Sequence, residues 1–307
     1  MRSDFGNSFA VLLLAHGTPE GVDEIPEYLR NVTGGRIVPD SVIDEVKHRY
    51  GLIGRSPLTQ ITLRQAELLS ESLQLRVYVG MRNWKPYIAD TIKAMRNDGA
   101  INVVALCMAP QNSRTSVGLY RSALEKQAEG MAIEFVDSWH DHQLLVTAFA
   151  ERLQAARERY GRESAILFTA HSVPSRTIEA GDPYEQQAKE TARLVAKQAR
   201  LTDSQWAFAF QSQGMSSGPW IGPTVEETLQ ALKNAGHLRV IMQPIGFVCD
   251  HVEVLYDIDI GFREFGSRIG IEVERTESLN DSPTLIAALA GVARTASKRF
   301  ESAQAIG

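Results

Sequence analysis

The sequence predicts an α/β protein built from two similar doubly wound domains with parallel sheets. The run from Phe9 to Ala15 is apolar throughout, which is typical of a strand buried on both faces of a parallel sheet. Strand patterns alternate with helical patterns along the chain, and this alternation predicts parallel strands joined by right-handed crossovers. The stretches AVLLLAHGTP at 10–19 and AILFTAHSVP at 165–174 share one pattern, which indicates that the two halves are related.

The first half of the chain has the pattern of three strands separated by helices. Apolar residues at helical spacing predict helices in the ranges 23–32, 40–51, 56–73 and 85–99. Continuous apolar runs predict two further strands, at 75–81 and 101–110. Together with the first strand, these elements form the β-α-β-α-β order of a doubly wound domain.

The second half repeats this order. Strands are predicted at 165–170, 206–214 and 238–248, and helices at 182–201 and 224–236. Two more helical patterns cover 141–161, which would join the halves, and 282–302, which suits packing on either half. We therefore expect one domain over residues 1–145 and a second over 146–307, with the place of the C-terminal helix left open.

Composition narrows the classes of function. The chain has 307 residues, of which 44% are hydrophobic, and this suits a globular protein with a sizeable core. Its formal net charge of -5 does not support binding to nucleic acid. Cys107 and Cys249 are too few for a disulfide framework or a four-thiolate cluster. Since the start of the chain is polar and no apolar run reaches about 18 residues, we expect a cytoplasmic protein, with peripheral contact to a membrane left open.

One histidine follows the first strand of each predicted domain. In open α/β sheets, ligands bind beyond the carboxyl ends of the strands, and this is where His16 and His171 are expected. Two facing domains would offer these histidines to a common cleft. An imidazole in such a place is a candidate base or metal ligand, because its pKa lies near neutrality. The alternative is a histidine that only bonds the local backbone.

An acidic segment follows the last strand pattern of the second half. If a helix begins at Asp250, then Asp250, Glu253 and Asp257 share one face of it. Carboxylates in such a line would bind or guide a divalent cation, since hard cations prefer oxygen ligands. The alternative needs no ligand, because Asp250 as N-cap with Glu253 three residues later has the form of a capping box.

Other common catalytic patterns are absent from the sequence. It contains no Walker-type phosphate-binding loop and no G-x-S-x-G elbow, so nucleotide binding and hydrolase chemistry on His171 and Ser172 are disfavoured. The polar residues Arg49, Ser56 and Tyr120 lie in or near predicted loops and are candidates to hold an acidic ligand through charge-assisted hydrogen bonds.

Several long motifs, in order along nearly the whole chain, resemble those of the ferrochelatase family. The stretch FTAHSVPSRTIEAGDPYEQQ is similar to its S-A-H-S-x-P…G-D-P-Y signature, and PIGFVCDHVEVLYDIDI to its P-x-x-F-x-x-D-H-x-E-x-L-Y-x-x-D signature. The stretches LLLAHGTPEG, HRYGLIGRSPLTQIT, VYVGMRNWKPYIADTIKAM and QSQGMSSGPWIGPTVEETL are also similar to family segments. Each motif alone would be of moderate specificity, but their combination and order are highly specific.

The resemblance implies two Rossmann-like domains and a lyase-class enzyme that inserts ferrous iron into a porphyrin during haem biosynthesis. It implies His171 and Glu253 as catalytic residues and His171, Glu253 and Asp257 as metal-binding residues. It also implies His16, Arg49, Ser56 and Tyr120 as porphyrin-binding residues. The chain resembles the short bacterial form, which implies no cofactor beyond the Fe²⁺ substrate, no iron–sulfur cluster, and a monomer with transient contacts to neighbouring haem-pathway enzymes. Members of this form use coproporphyrin III or protoporphyrin IX.

The chain also departs from the family pattern. His16 stands where coproporphyrin-type members have a tyrosine that faces the metal, and Gly261 replaces a glutamate that extends the acidic line in some relatives. The segment GLIGRSPL is one residue shorter than its usual double-glycine version. Two alternative functions remain at this point: a cobalt or nickel tetrapyrrole chelatase of the same fold, and a porphyrin- or haem-binding protein without turnover.

Overall fold

A computed structural model describes residues 8–213 and 218–304, with the side chains up to residue 300. Its strands form two four-stranded sheets in which every strand is parallel to its neighbours. The first sheet contains β1 (Phe9–Ala15), β2 (Arg76–Met81), β3 (Asn102–Cys107) and β4 (Ala132–Val136), in the order β2-β1-β3-β4. The second contains β5 (Ala165–His171), β6 (Trp206–Gln211), β7 (Arg239–Pro244) and β8 (Glu272–Arg275), in the order β6-β5-β7-β8.

Helices connect the strands in both sheets. The first six are α1 (Ile25–Val32), α2 (Asp40–Ile53), α3 (Leu58–Leu73), α4 (Ile88–Asn97), α5 (Val117–Glu125) and α6 (Gln143–Tyr160). The next six are α7 (Ser175–Glu179), α8 (Tyr184–Gln198), α9 (Val225–Asn234), α10 (Val252–Leu255), α11 (Arg263–Ile269) and α12 (Pro283–Gln304). Short 3₁₀ turns cover Val22–Glu24 and Asp203–Gln205, and a π-helical segment, Asp257–Phe262, joins α10 to α11.

The central strand of each sheet is buried on both faces, as its unalternating apolar sequence predicts. Every residue of β1 from Ala10 to Leu14 is fully buried, and so are the residues of β5 from Ile166 to Ala170. Side chains from the covering helices, such as Ile92 on α4 and Leu229 on α9, complete the two cores. This burial is the main stabilising contribution, at roughly 1.5–3 kcal/mol for each large aliphatic side chain. The predicted doubly wound α/β fold class is confirmed.

The chain folds into two compact units, each built around one of the sheets. The first comprises the chain up to Ala109, Ser116–Trp139 and the chain from Asn280 onward, and the second comprises Pro110–Thr115 and His140–Leu279. Helix α12 therefore belongs to the first unit, where Arg294 donates a hydrogen bond to the carbonyl of Ser72 at the end of α3 (3.0 Å). The division into domains of residues 1–145 and 146–307 stays a prediction.

Each sheet has one more strand than the three that the sequence predicts. The additional strands, β4 and β8, lie at an edge of their sheets and are five and four residues long. Their sequences, AIEFV and EVER, contain acidic residues within a short apolar pattern. Charged residues are common on edge strands because one side of the strand faces solvent. The last residue of the strand predicted at 206–214, and part of the stretch QSQGMSSGPWIGPTVEETL, fall at 214–217, outside the described residues.

Candidate functional site

His171 is the last residue of the central strand β5, at the carboxyl end of the second sheet. Its ring Nδ1 lies 2.5 Å from the carbonyl oxygen of Ser172, the next residue. Since a carbonyl can only accept, Nδ1 carries the hydrogen and Nε2 is left to face other groups. The side chain is partly buried, with 28% of its surface exposed. His171 therefore bonds the local backbone through Nδ1 and is still a candidate base through Nε2.

Glu253 faces this imidazole from the beginning of α10. Its Oε1 lies 3.6 Å from Nε2 of His171, and its side chain is 38% exposed. The separation is within the range of an ion pair but longer than a direct hydrogen bond. The structure thus brings together the two residues predicted as catalytic, which come from segments more than 80 positions apart in the chain.

The surroundings of His171 favour its charged form. Burial of the ring lowers its pKa, but the Glu253 carboxylate, the Ser172 carbonyl and the negative charge of Asp257 outweigh this effect and raise the pKa from 6.5 to about 9. In the ligand-free protein at neutral pH, His171 is therefore mostly an imidazolium facing a carboxylate. A perturbed histidine at a strand end is the kind of group that catalytic sites contain.

Helix α10 begins differently from the sequence prediction. Its N-cap is His251, whose Nδ1 accepts a hydrogen bond from the backbone N–H of Glu253 (3.2 Å). Asp250, the predicted N-cap, instead pairs with Arg275 (3.3 Å) and accepts a hydrogen bond from Ser278 (2.7 Å). The prediction of a helix starting at Asp250, with a capping box or a continuous acidic face, is therefore wrong. A tertiary ion pair has displaced the local capping preference of aspartate.

His251 is a neutral counterpart to the charged His171. Its ring is 7% exposed and packs edge-on against Phe247, with the ring centroids 4.4 Å apart. Burial lowers the pKa of His251, and the positive charges of His171 and Arg275 lower it further, although Glu253 and Asp250 oppose them. A neutral ring is also what the cap requires, because a protonated Nδ1 would have no lone pair to accept from Glu253.

Asp257 lies one turn beyond Glu253, at the start of the π-helical segment. The hydroxyl of Ser212 donates a hydrogen bond to its carboxylate. Ser212 itself has a left-handed backbone (φ 57°), a conformation that non-glycine residues adopt rarely and that often occurs at functional sites. Within the described ranges, no group of three or more His, Cys, Asp or Glu side chains is arranged to hold a metal ion. The negative charge of Asp257 helps to raise the pKa of His171, and its role as a metal ligand stays a prediction.

A buried polar network lies behind the pair. Gln211 of β6 is opposite His171 in the register of the sheet and is 1% exposed. Its amide oxygen accepts from the hydroxyl of Thr169 (2.6 Å), and its amide nitrogen donates to the backbone carbonyl of Glu253 (3.2 Å). This network links the two strands that flank the site to the helix that bears the carboxylate, and so it fixes the position of Glu253 relative to His171.

Two aromatic residues border His171. The hydroxyl of Tyr184, at the start of α8, donates to the backbone carbonyl of His171 (2.9 Å). Burial and the nearby carboxylates of Glu253 and Asp182 raise the pKa of Tyr184, so it stays a neutral donor. The ring of Trp220 lies with its centroid 6.4 Å from that of the imidazole. These residues hold the strand end and provide an apolar wall beside the imidazole.

His16 follows the central strand of the first sheet and contacts a phenol and an amide. Its Nε2 lies 3.0 Å from the hydroxyl of Tyr28, and the side-chain amide of Asn83 contacts both ring nitrogens at 3.0 and 3.2 Å. The next residue, Gly17, has φ +81°, and a Cβ atom there would lie 2.9 Å from the backbone nitrogen of Trp84. Only glycine fits this close approach, and the turn therefore presents His16 to Tyr28 and Asn83.

The other three residues predicted to bind porphyrin all lie in the first unit. Arg49 on α2 forms an ion pair with Glu45 at 2.9 Å. Ser56, just before α3, is 7% exposed, and its buried hydroxyl has no hydrogen-bond partner in the described structure. Tyr120 on α5 is 6% exposed, and the guanidinium of Arg82 stacks on its ring at 5.4 Å. Their contacts with a porphyrin stay predictions.

The sequence reasoning did not single out several residues that contact the strand end and the acidic segment, namely Thr169, Gln211, Ser212, His251 and Arg275. Gln211 and Ser212 lie in the stretch QSQGMSSGPWIGPTVEETL, and His251 is the histidine of the D-H-x-E signature, so these motifs were a usable signal. Arg275 carried no comparable signal, because its contacts depend on partners that only the folded chain brings close.

The doubly wound α/β fold of this chain is shared with solved structures of chelatases. Among solved structures, the sirohydrochlorin chelatase SirB from Bacillus subtilis subspecies spizizenii, in complex with cobalt, has a similar fold with a TM-score of 0.56. The alignment covers 96% of this chain and 97% of that one at 10% sequence identity, so it supports the fold alone.

The sequence comparisons are more specific. A ferrochelatase of Acidobacterium capsulatum is 54% identical over 96% of this chain and 97% of the relative. The coproporphyrin III ferrochelatase of Geobacillus kaustophilus is 37% identical over 92% of this chain and 94% of the relative. The family model for ferrochelatase matches residues 8–297. The chain belongs to the ferrochelatase family.

This membership confirms the resemblance inferred from the sequence motifs, together with the class of enzyme, a metal-chelating lyase. Among the residues that the structure describes, no helix has the length and apolar character needed to cross a membrane. The absence of an iron–sulfur cluster, the monomeric state, the contacts with pathway enzymes and the cytoplasmic location stay predictions.

Proposed function

We propose that this protein inserts ferrous iron into a porphyrin in haem biosynthesis, and that His171 and Glu253 are its catalytic pair. The observation that carries this assignment is the approach of Nε2 of His171 to Oε1 of Glu253 at 3.6 Å, at the carboxyl end of the second sheet. Family membership supports the reaction, and the geometry supports the choice of residues. Iron and porphyrin are both substrates here, so neither has to be held permanently.

The His171–Glu253 pair is suited to bind a metal ion that must then be released to the porphyrin. Imidazole and carboxylate both bind ferrous iron, and two protein donors leave most coordination positions open for water or for porphyrin nitrogens. A closed cage of four protein ligands would hold iron too firmly to release it, as closed structural zinc sites do. Asp257, which Ser212 holds beside the pair, adds negative charge that attracts a cation without being a required ligand.

The same pair accounts for the protons. A free-base porphyrin loses two pyrrole protons for each ferrous ion that it takes up. A neutral His171 beside an ionised Glu253 accepts both, one on Nε2 and one on the carboxylate, and passes them to water between turnovers. Because the pKa of His171 is raised to about 9, the resting pair already holds one proton. The pair must lose this proton before it can accept two, and a divalent cation arriving beside it favours that loss by charge repulsion.

The porphyrin is expected to bind in a distorted shape. A planar ring screens its nitrogens from iron, and an enzyme that binds the buckled ring more tightly than the planar one lowers the barrier to insertion. His16, Arg49, Ser56 and Tyr120 are proposed to contact this ring, and Arg49 is suited to a propionate because a guanidinium pairs with a carboxylate. His16, if it reaches the iron of the product, would be an axial ligand.

Anaerobic insertion of ferrous iron tests this function directly. Wild type is assayed with coproporphyrin III and protoporphyrin IX side by side, and Co²⁺ is tested as the competing metal. We expect iron insertion into at least one of the two rings, and the faster ring identifies the substrate. Tight binding of either porphyrin without insertion of any metal would contradict the proposal and leave a binding protein. Insertion of cobalt but not iron would replace it with a cobalt chelatase.

A further inference from the structure

The segment from Asp250 to Asp259 contains four carboxylates within ten residues, and three different residues bind them. Glu253 faces His171, and Asp257 accepts from Ser212. The remaining two, Asp250 and Asp259, turn to the same guanidinium on the edge strand β8, that of Arg275. Glu253 and Asp257 therefore lie between two anchored neighbours.

The Arg275 guanidinium binds both anchors at once. Its Nε and one terminal nitrogen donate to the two oxygens of Asp259, at 2.9 and 2.8 Å, in a bidentate arrangement. Its other terminal nitrogen lies 3.3 Å from Asp250 and 3.0 Å from the backbone carbonyl of Thr276. The side chain of Arg275 is only 12% exposed, and those of Asp250 and Asp259 are 20% and 23% exposed. At this degree of burial, screening by solvent is much weaker than for a surface ion pair.

This arrangement connects two short helical elements, α10 and the π-helical segment, to strand β8 of the second sheet. Helix α10 has four residues and the π-helical segment after it has six, and helices this short are marginal by themselves. One guanidinium holds Asp250, two residues before α10, and Asp259, inside the π segment, to a strand of the sheet. We call Arg275 together with Asp250 and Asp259 the clamp. Because Glu253 and Asp257 lie between its two attachment points, the clamp limits how far either carboxylate can move relative to His171 at the end of β5.

The clamp also sets which charges face the substrate. Without Arg275, Asp250 and Asp259 would lose the guanidinium that balances their charges. Their carboxylates would then be two further groups that attract a cation to this segment. With the clamp, their charges are balanced by Arg275 and the acidic groups left for iron are Glu253 and Asp257.

We propose that Arg275 is a positioning residue for iron insertion, which acts by anchoring both ends of the acidic segment and by withdrawing Asp250 and Asp259 from the metal. The inference rests on the proposed function of the His171–Glu253 pair. Arg275 touches neither iron nor porphyrin in this proposal, so its removal is expected to affect the use of iron and leave porphyrin binding unchanged.

The test compares Arg275→Gln with a matched control, Arg239→Gln. Arg239 of β7 also binds a carboxylate of β8, that of Glu272, through Nε and a terminal nitrogen at 2.7 and 2.6 Å, but at the amino ends of the strands. The first readout is amide hydrogen exchange of residues 250–262 in the full chain without substrates. We expect faster exchange in this segment for Arg275→Gln and no change there for Arg239→Gln.

The second readout is steady-state kinetics with each substrate varied in turn. Removing a residue that orients a metal-binding group typically costs about 10- to 100-fold in affinity or activity. We expect this loss for Arg275→Gln in kcat/KM for ferrous iron, with an unchanged Kd for porphyrin measured by fluorescence quenching. A residue of merely structural importance would lower the melting temperature without separating the two substrates.

The outcomes distinguish the two hypotheses. Unchanged exchange in residues 250–262 would overturn the clamp, whatever the activity. Faster exchange with an unchanged kcat/KM for iron, or an equal loss for both substrates, would overturn the positioning role. A wild-type protein that inserts no iron would contradict the proposed function instead, and the exchange measurement would still decide whether Arg275 anchors the segment.

Discussion

His16 and His171 occupy equivalent places in two sheets of the same strand order, yet their surroundings differ. Each follows the buried core of a central strand, within the repeated apolar-Ala-His pattern. His171 contacts a carboxylate, that of Glu253, and its pKa is raised to about 9. His16 contacts a phenol and an amide, those of Tyr28 and Asn83. The same position in the fold therefore supports different chemistry.

The difference comes from the segments that surround each strand end. Beside β5, the chain returns through a short helix that carries carboxylates, and a buried network through Gln211 holds that helix in place. Beside β1, the tight turn at Gly17 brings Asn83 and the following Trp84 against the histidine turn. A strand end provides the location, and the partner residues decide whether the imidazole faces a carboxylate, as His171 does, or contacts a phenol and an amide, as His16 does.

The comparison is tested most strongly by removing each histidine in turn. We expect His171→Ala to lower kcat for iron insertion by about 10²- to 10⁴-fold, the range typical of a lost acid–base group. A matched control is His237→Ala, since His237 lies ahead of β7 at the opposite end of the second sheet. Near-full turnover in a folded His171→Ala protein would contradict the assignment of this residue as the proton acceptor.

The second test uses the charge partner of His171. If neutral His171 accepts a pyrrole proton, kcat/KM for porphyrin rises as the pH increases through the pKa of about 9, because the protonated form predominates below it. Glu253→Gln removes the largest influence that raises this pKa, so the rising limb should move to lower pH, towards the ordinary value of 6.5. The height of the profile also falls, since the second proton acceptor is lost.

The pH at which kcat/KM for porphyrin rises is the quantity that decides this test. Glu272→Gln is the control, because Glu272 is a carboxylate of the second sheet that pairs with Arg239 and not with a histidine. A limb that stays in place in Glu253→Gln would show that another group limits the reaction. The dependence is measured with both substrates in anaerobic buffers of constant ionic strength.

The smallest effect on turnover is expected at His16. His16→Ala should change kcat by less than about tenfold, or roughly 1.4 kcal/mol in activation free energy. We expect a larger change in the absorption spectrum of the bound haem product, because the loss of an axial ligand alters the iron directly. Tyr28→Phe, which keeps the ring and removes the hydroxyl next to His16, is the control for a general disturbance of this cluster. An unchanged spectrum in His16→Ala would eliminate His16 as a ligand.

Much of the architecture could be predicted because local patterns and tertiary packing agree. The runs that form β1, β3, β5 and β7 are almost purely apolar, and such runs are stable only as strands covered on both faces. Two of the four edge strands, β4 and β8, were missed because their sequences are short and partly polar. The other two, β2 and β6, are longer and were predicted. Helix α12 could not be placed, because its apolar face suits either unit until the position of α3 is known.

The features of the candidate site also divide into those that the sequence predicts and those that depend on the tertiary structure. The sequence by itself determined the fold class, the family and the two residues that carry the proposed chemistry, since long motifs and buried strand ends are written in consecutive residues. Only the tertiary structure decided that His251 caps the acidic helix and that Arg275 withdraws Asp250 and Asp259. It also decided that His171 is charged at rest, because a pKa depends on charges and burial contributed by residues distant in the chain.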